Sequence, residues 1–427
     1  MTSSSIQSSR LFTASCIALI TTAMTFAIRG ALMASWGEEF NLNSAEVGNV
    51  SGTAFWGFTL AMVFGGPLCD VVGMRNLIRL AFFGHLAGII LTILSNSYIL
   101  LFSSTLIIGI SNGLVEAACN PLVTTIYPNE KIKYLNRFHV WFPGGIVIGG
   151  LVSFLFLDQL HLPWRFLMAS LALPGLIYGF MSFNADFPVS ERVSSGTSTG
   201  RMFASLGNPL FLFMVACMTV TAATELGTNQ WITQLLENVG VPSILLLVFI
   251  SGIMAVGRGF AGELSHRLAP EGMLLLSAIF STLGLVLLSY SQGPLAFVSA
   301  AVFAVGICYF WPTMLGFVSE YLPETGPMGL SIMGGAGMLS VSFILPFMGK
   351  IYDEKVLSQV PKEFTLDELK TALANTTESS LWKAINLEAG SDTLLTVAVL
   401  PLGLVLAFTG LFFWMRNRKT EDTPTKI

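Results

Sequence analysis

The sequence predicts an all-α membrane protein of twelve transmembrane helices in two pseudo-symmetric six-helix bundles. Three observations predict it. Apolar residues fill 53% of the 427 positions and charged residues only 11%, against roughly 25% charged in a soluble domain. The apolar residues gather into twelve runs, each near the about 20 residues that cross a bilayer as a helix. The runs divide six and six around one polar stretch, and a short motif at the end of the second run returns at the end of the eighth.

The first half holds runs at 11–36, 47–69, 76–95, 98–126, 135–157 and 164–184. Arg10 ahead of the first run imitates a secretory leader, but the run extends to about Trp36 with no convincing cleavage site, so it is expected to be an uncleaved first span. Residues 185–207, with Glu191, Arg192 and the Ser/Gly/Thr run 194–200, read as a solvated cytoplasmic linker. The second half holds runs at 208–236, 243–266, 272–290, 294–320, 326–350 and 392–415. The domains expected are therefore 1–184, the linker, and 208–427. A polar insertion at 351–391 precedes the last span, and Thr365-Leu-Asp-Glu368 in it has capping-box spacing for a short surface helix.

Basic residues orient the chain. Arg75, Arg79, Lys131, Lys133, Arg137, Arg192, Arg201, Arg267, Arg416, Arg418 and Lys419 fall on one side if both termini are cytoplasmic. The connections near Glu38, Asn96, Glu237 and Gln292 carry acids or nothing, with Arg165 the basic exception. A multi-pass protein of the bacterial inner membrane, surrounded by lipid and monomeric, is expected. The net charge of −4 is spread without a basic tract, which argues against nucleic acid as a partner. Cys16, Cys69, Cys119, Cys217 and Cys308 each stand alone in apolar sequence, so neither a disulfide framework nor a metal site is indicated. No nucleophile-base pair or phosphate loop points to an enzyme.

The second run ends Gly66-Pro-Leu68-Cys-Asp70-Val-Val-Gly73-Met-Arg75 and the eighth ends Gly262-Glu-Leu264-Ser-His266-Arg267, an offset of 196. The same offset takes Arg29 to Glu225, each a charge inside an apolar run. Parallel repeats would set such positions around a midplane cavity. The first motif resembles the major facilitator signature between helices two and three, although Val71 and Met74 stand where basic residues are usual. The resemblance implies the major facilitator fold and a gating role for Asp70 and Arg75 at a helix-cytoplasm junction.

A second resemblance, to the fucose:proton symporter family, rests on Gly113-Leu-Val-Glu116-Ala-Ala-Cys-Asn120-Pro121, on Leu135-Asn136-Arg-Phe-His139, on Trp311-Pro312-Thr313, and on Gly334-Gly335-Ala336 through Pro346 and Gly349. It implies that Glu116 is the proton-coupling carboxylate and His139 a solute contact, with protons as the coupling ion and no other cofactor. The residues allow this chemistry. Glu116 and Asn120 are i, i+4 on one face with Gly109 and Gly113, and intramembrane ionisable residues are functional by default. A polar contact between helices is the plain alternative for Glu116, and a packed imidazole for His139.

Arg29 departs from that family, where an acid is expected on helix one. It needs a partner at depth, which Glu225, Glu116 or an anionic solute can supply. Glu225, Asn229 and Trp231 bring a charge, an amide and an aromatic face to helix seven, and Trp231 or Trp311 can form a sugar platform or ordinary interfacial packing. Arg258 is read as reaching for the headgroups or pairing with Glu263. Gly145, Gly149, Ser331, Gly334 and Gly335 read as close helix crossings. The expected function is a secondary active transporter of a small polar solute, a monosaccharide or derivative, by proton-coupled alternating access. The alternatives are an organic-anion carrier using Arg29 for a sugar acid or phosphate ester, and a membrane sugar receptor that moves nothing.

Overall fold

Lipid offers no hydrogen bonds, so each apolar run must satisfy its backbone internally and becomes a helix. The computed structural model describes residues 3–42, 44–196, 198–235, 243–359 and 380–421, and all regular structure among the described residues is helical. The first six helices are α1 (Ser3–Glu39), α2 (Ser44–Val72), α3 (Met74–Ile93), α4 (Tyr98–Ile126), α5 (Lys131–Gln159) and α6 (Trp164–Phe183). After the linker come α7 (Pro209–Ile232), α8 (Ser243–Gly259 and Ala261–Arg267), α9 (Pro270–Tyr290) and α10 (Leu295–Tyr321). The last two are α11 (Gly326–Ser358) and α12 (Ser380–Val397 and Val399–Glu421). Eleven stretches among the described residues are long and apolar enough to span a membrane, and Leu245–Gly259 of α8 is a shorter apolar helix.

Two boundaries differ from the sequence reading. α11 runs on to Ser358 and α12 begins at Ser380, so both ends of the expected 351–391 insertion are helical. Hydropathy marks where lipid ends, whereas a helix continues into water at no cost when its side chains are Asp353, Glu354 and Lys355. The capping-box segment at Thr365–Glu368 lies outside the described residues.

Contacts group the chain into two units. The first is Met1–Thr219 with Ala255–Arg267 and Trp311–Leu339; the second is Val220–Met254 with Leu268–Phe310 and Ser340–Ile427. The first unit thus takes in parts of α7, α8, α10 and α11 along with α1 to α6.

In the first unit, small residues set the helix crossings. A Cβ on Gly113 of α4 would lie 2.5 Å from the Phe58 carbonyl oxygen and 2.7 Å from Ala61 Cβ on α2. Gly145 and Gly149 of α5 pack on α1, a Cβ at each falling within 3 Å of Ala23 and Ala27. Gly66 of the signature faces α11, where a Cβ would stand 2.7 Å from Ser331 Cβ and 3.0 Å from Met328 Cα. A buried polar network ties four helices together: Tyr178 and His85 (2.9 Å), His85 and Asn112 (2.9 Å), and Asn112 and Thr25 (2.8 Å). Asn112 Oδ1 can only accept, so His85 Nε2 carries the proton and Nδ1 accepts from the Tyr178 hydroxyl.

At the linker end of this unit, residues 185–207 are held by both sides of the chain and are not fully solvated as the composition suggested. Ala185, Ser190 and Met202 are buried. Arg75 donates to the Ala185 carbonyl at 2.5 Å and pairs with Asp186 at 3.1 Å. Lys131, 8% exposed, spends its three donors on both Glu191 oxygens (3.0 and 2.7 Å) and the Ser319 carbonyl (3.1 Å). Arg201 pairs with Glu324 at 2.5 Å.

At the opposite end, Arg165, the exception in the charge count, is neutralised. It pairs with Glu39 at 2.7 Å, lies 4.4 Å over the Trp164 ring and donates to the Ile93 carbonyl. The Arg165 hydrogen bond, and then that of the Trp164 indole, hold the Glu39 carboxyl below the usual carboxylate range.

In the second unit, Gly284 of α9 lies against the Phe303 backbone and Gly306 of α10 against Ser281, so these helices meet at backbone distance. Tyr352 donates to Asn386 at 2.6 Å and Lys355 pairs with Asp392 at 3.1 Å, fastening the end of α11 to the start of α12.

Candidate transport site

Four polar residues of the first unit meet at depth on α4, α5 and α8. Glu116 is 2% exposed, Asn120, His139 and Arg258 each 1%. Asn120 Nδ2 donates to Glu116 Oε2 at 2.6 Å, and His139 Nε2 lies 3.1 Å from Asn120 Oδ1 and 3.8 Å from Glu116 Oε2. A carboxylate only accepts, which fixes the amide and makes His139 Nε2–H the donor to Oδ1. A proton on Glu116 would let its hydroxyl donate to Oδ1 once the Asn120 amide turns over. The chain of bonds can therefore point either way according to the charge of Glu116.

Arg258 is the correction here. The sequence reading sent it to the headgroups or to Glu263; instead its Nη1 donates to the His139 carbonyl at 3.0 Å, and Glu263 pairs with Arg267 at 3.0 Å. The local sequence explains the seat. Pro143 has no N–H, so the carbonyl four residues earlier, that of His139, loses its helical donor. The first segment of α5 stops at His139 and helix resumes at Trp141. The Arg258 guanidinium fills the vacancy. The Pro-four-residues-on spacing was visible in the sequence; the α8 arginine that answers it lies 119 positions away.

The remaining expected site residues separate. Arg29 is 5% exposed on α1; Nη2 donates to the Thr105 carbonyl at a long 3.4 Å and Nη1 is buried without a partner among the described residues. Within its unit no described carboxylate pairs with it, so the expected Glu116 pairing is not made. Trp311, also in the first unit, is 6% exposed with an unpartnered indole N–H, and Thr59 and Ser331 hydroxyls of this unit are likewise unpartnered. Asp70 accepts from Ser190 at 2.5 Å, and Ser190 in turn caps the short helix Glu191–Ser194. Asp70 thus reaches a helix N-terminus through a hydroxyl, and Arg75 binds the segment after α6.

Glu225, Asn229 and Trp231 belong to the second unit. Glu225, 3% exposed, sits in a π-helical turn, Ala223–Gly227, a widened turn frequent at functional sites. The Thr228 hydroxyl and Asn229 Oδ1 just beyond it are buried without partners. Trp231 spends its indole N–H on the Leu345 carbonyl at 3.2 Å and packs by Gly349 and Tyr352, an engagement with α11 that suits packing better than a sugar platform.

A carboxylate, an imidazole and a guanidinium are thus gathered, buried, on helices that are apolar along most of their length. The chain belongs to the Major Facilitator Superfamily, whose model matches residues 14–353. Among curated proteins it is similar to the multidrug resistance protein MdtG, 26% identical over 247 residues in Salmonella arizonae and 27% over 248 in Escherichia coli. These matches cover 55% of this chain and 60% of the relatives, so only part of their length is represented.

Among solved structures it resembles the human organic anion transporter MFSD10, with TM-score 0.67 and 14% identity over 94% of this chain and 99% of that one. It equally resembles the E. coli fucose:proton symporter, with TM-score 0.67 and 15% identity over 92% and 98%. The proton:xylose symporter XylE, solved with a bromodeoxyglucose, gives TM-score 0.67 and 14% identity over 94% and 96%. At these identities the likeness establishes the fold.

Proposed function

We propose that this transporter is a proton-coupled carrier for a monosaccharide or close derivative, working by alternating access in a bacterial inner membrane with both termini in the cytoplasm. The observation that carries the reading is the Glu116–Asn120–His139 chain: a buried carboxylate whose charge decides whether an amide and an imidazole face it or a solute. Glu116 takes and releases the proton; Asn120 and His139, with the indole N–H of Trp311, offer donors and acceptors to hydroxyls. Asp70 and Arg75, fixed to the segment 185–190, act in gating at the cytoplasmic end. Protons are the coupling ion, no cofactor is required, and the carrier works as a monomer in lipid.

A second reading is favoured by one specific observation, the buried Nη1 of Arg29 without a partner. A carboxylate or phosphate on the solute would complete it, giving a carrier of sugar acids or phosphate esters. A thermal-shift screen of the purified protein separates the two, because a ligand of the folded state raises its melting temperature. Stabilisation by neutral monosaccharides, retained in Arg29→Gln, supports the leading reading. Stabilisation by sugar acids or phosphates alone, lost in Arg29→Gln, replaces it with the second. A response only to lipophilic cations such as tetraphenylphosphonium overturns both.

A further inference from the structure

We propose that the linker, residues 185–207, is a strap that fastens the linker-side ends of α2, α5, α10 and α11 over a small cavity, and that Asp70 and Arg75 of the signature motif gate the carrier by seating this strap. The inference deepens the gating part of the proposed function and rests on alternating access, not on the identity of the solute or the ion.

A segment that only tethers two halves need not be ordered, because fixing a chain costs conformational entropy that contacts must offset. This segment is fixed along its length. At its start Arg75 donates to the Ala185 carbonyl and pairs with Asp186 at 3.1 Å, and the Ser190 hydroxyl donates to Asp70. The same hydroxyl accepts from the Val193 N–H, so Asp70 orients the turn of helix Glu191–Ser194. From that turn Glu191 reaches Lys131 at the start of α5, and Lys131 donates onward to the Ser319 carbonyl of α10. Farther along, Met202 is buried and Arg201 pairs with Glu324 between α10 and α11. The linker therefore runs from α2 across α5 to α10 and α11, bonded at each. Lys131 makes it a clasp. A lysine withdrawn from water needs a carboxylate, and the linker supplies one, Glu191, that is itself 41% exposed and can return to water. Beneath it lies a cavity walled by Pro121 and Thr124 of α4, by Ser190 and Glu191 of the linker, and by Ser319 and Thr325 at the α10–α11 end. Two of these six walls belong to the linker, so lifting it uncovers the cavity.

The test uses the reconstituted full-length protein with a reporter cysteine, Thr124→Cys, on the wall of that cavity. Its alkylation is followed by mass spectrometry. Arg201 and Glu324 have side chains 67% and 43% exposed, so the fold tolerates their exchange. Arg201→Glu and Glu324→Arg, each alone, should speed alkylation at least twofold and up to about fivefold, the reach of one exposed ion pair. The two together should restore the parent rate. Ser190→Ala should also speed it, while Ser190→Thr, which keeps the hydroxyl for Asp70 and Val193, should stay near the parent. Rates within twofold of the parent in every single variant overturn the inference, as does a double variant that stays fast; the linker is then a tether with incidental contacts. Gly66→Ala separates this failure from failure of the underlying reading, because an added Cβ there crowds Ser331 and Met328 of α11, outside the linker. If Gly66→Ala speeds labelling and the linker variants do not, only the inference fails. If neither moves the rate, alternating access at this end fails with it.

Discussion

Substituting Gly66 by alanine tests whether the close crossing of α2 and α11 is a working part of the carrier or incidental packing. The added Cβ would lie 2.7 Å from Ser331 Cβ and 3.0 Å from Met328 Cα, the second a backbone atom that cannot rotate away. Carbon atoms in contact prefer about 3.5–4.0 Å, so the helices must part by about 1 Å. Overpacking of this kind costs about 1–3 kcal/mol. If α2 and α11 separate in the other access state, the cost falls on the described state alone and shifts the ratio of states by about 5- to 150-fold, at 1.4 kcal/mol per factor of ten. Alkylation of a reporter cysteine, Thr124→Cys at a 3% exposed position on α4, followed at that peptide by mass spectrometry, should accelerate by that factor at neutral pH, without loss of folded protein. Gly150→Ala is the matched control, since a Cβ there meets nothing within 4 Å. A labelling rate in Gly66→Ala within about twofold of Gly150→Ala would refute the reasoning, as would equal destabilisation of both states seen as a lowered melting temperature with unchanged labelling.

Three further outcomes follow from the same structure. Lys131→Met removes all three bonds that join the start of α5 to Glu191 and the Ser319 carbonyl. Because Glu191 is 41% exposed its share is screened, so about 1 kcal/mol, or about fivefold faster reporter labelling, is expected. Unchanged labelling would show that this end is held by packing alone. Glu39 is held below the usual carboxylate range by Arg165 and Trp164. Its stabilisation is therefore full above about pH 5 and lost as pH falls through the lowered folded value. The melting temperature of the wild type should fall more steeply on acidification than that of Glu39→Gln, and parallel curves would contradict this. Finally, His85→Leu strands the Tyr178 hydroxyl and the Asn112 amide oxygen, each costing about 1–3 kcal/mol. Lower thermal stability with intact proton-driven accumulation is expected; the reverse would place this network in the proton path.

The spans were legible in the sequence because lipid imposes one simple requirement, an apolar run of fixed length, and the turns between them carried the charges. The close crossings at Gly145, Gly149 and Ser331 were legible for a similar reason, since small residues spaced along an apolar helix have few other uses, whereas Gly66 and Gly113 stood out only as parts of motifs. The partners of charged groups were harder to read. Arg258 looked like a membrane-edge residue by its place in α8, because the carbonyl that seats it, freed by Pro143, lies on another helix. Trp231 looked available as an aromatic platform until its N–H was found on Leu345, a backbone acceptor with no sequence signature. The ends of α11 and α12 were drawn short because hydropathy reports the solvent and not the backbone. Arg29 was expected to be neutralised, and within its unit it keeps an unmatched nitrogen that only a three-dimensional hydrogen-bond inventory can expose.

The central claim is that solute and proton cross together through Glu116, and proton movement during solute entry tests it most directly. With protein in liposomes, an inward gradient of the stabilising solute and no imposed pH gradient, an internal pH dye should report acidification alongside uptake. In Glu116→Gln, solute should still exchange across the membrane with no change of dye signal. Uptake by the wild type without acidification, or acidification that survives in Glu116→Gln, would contradict the claim.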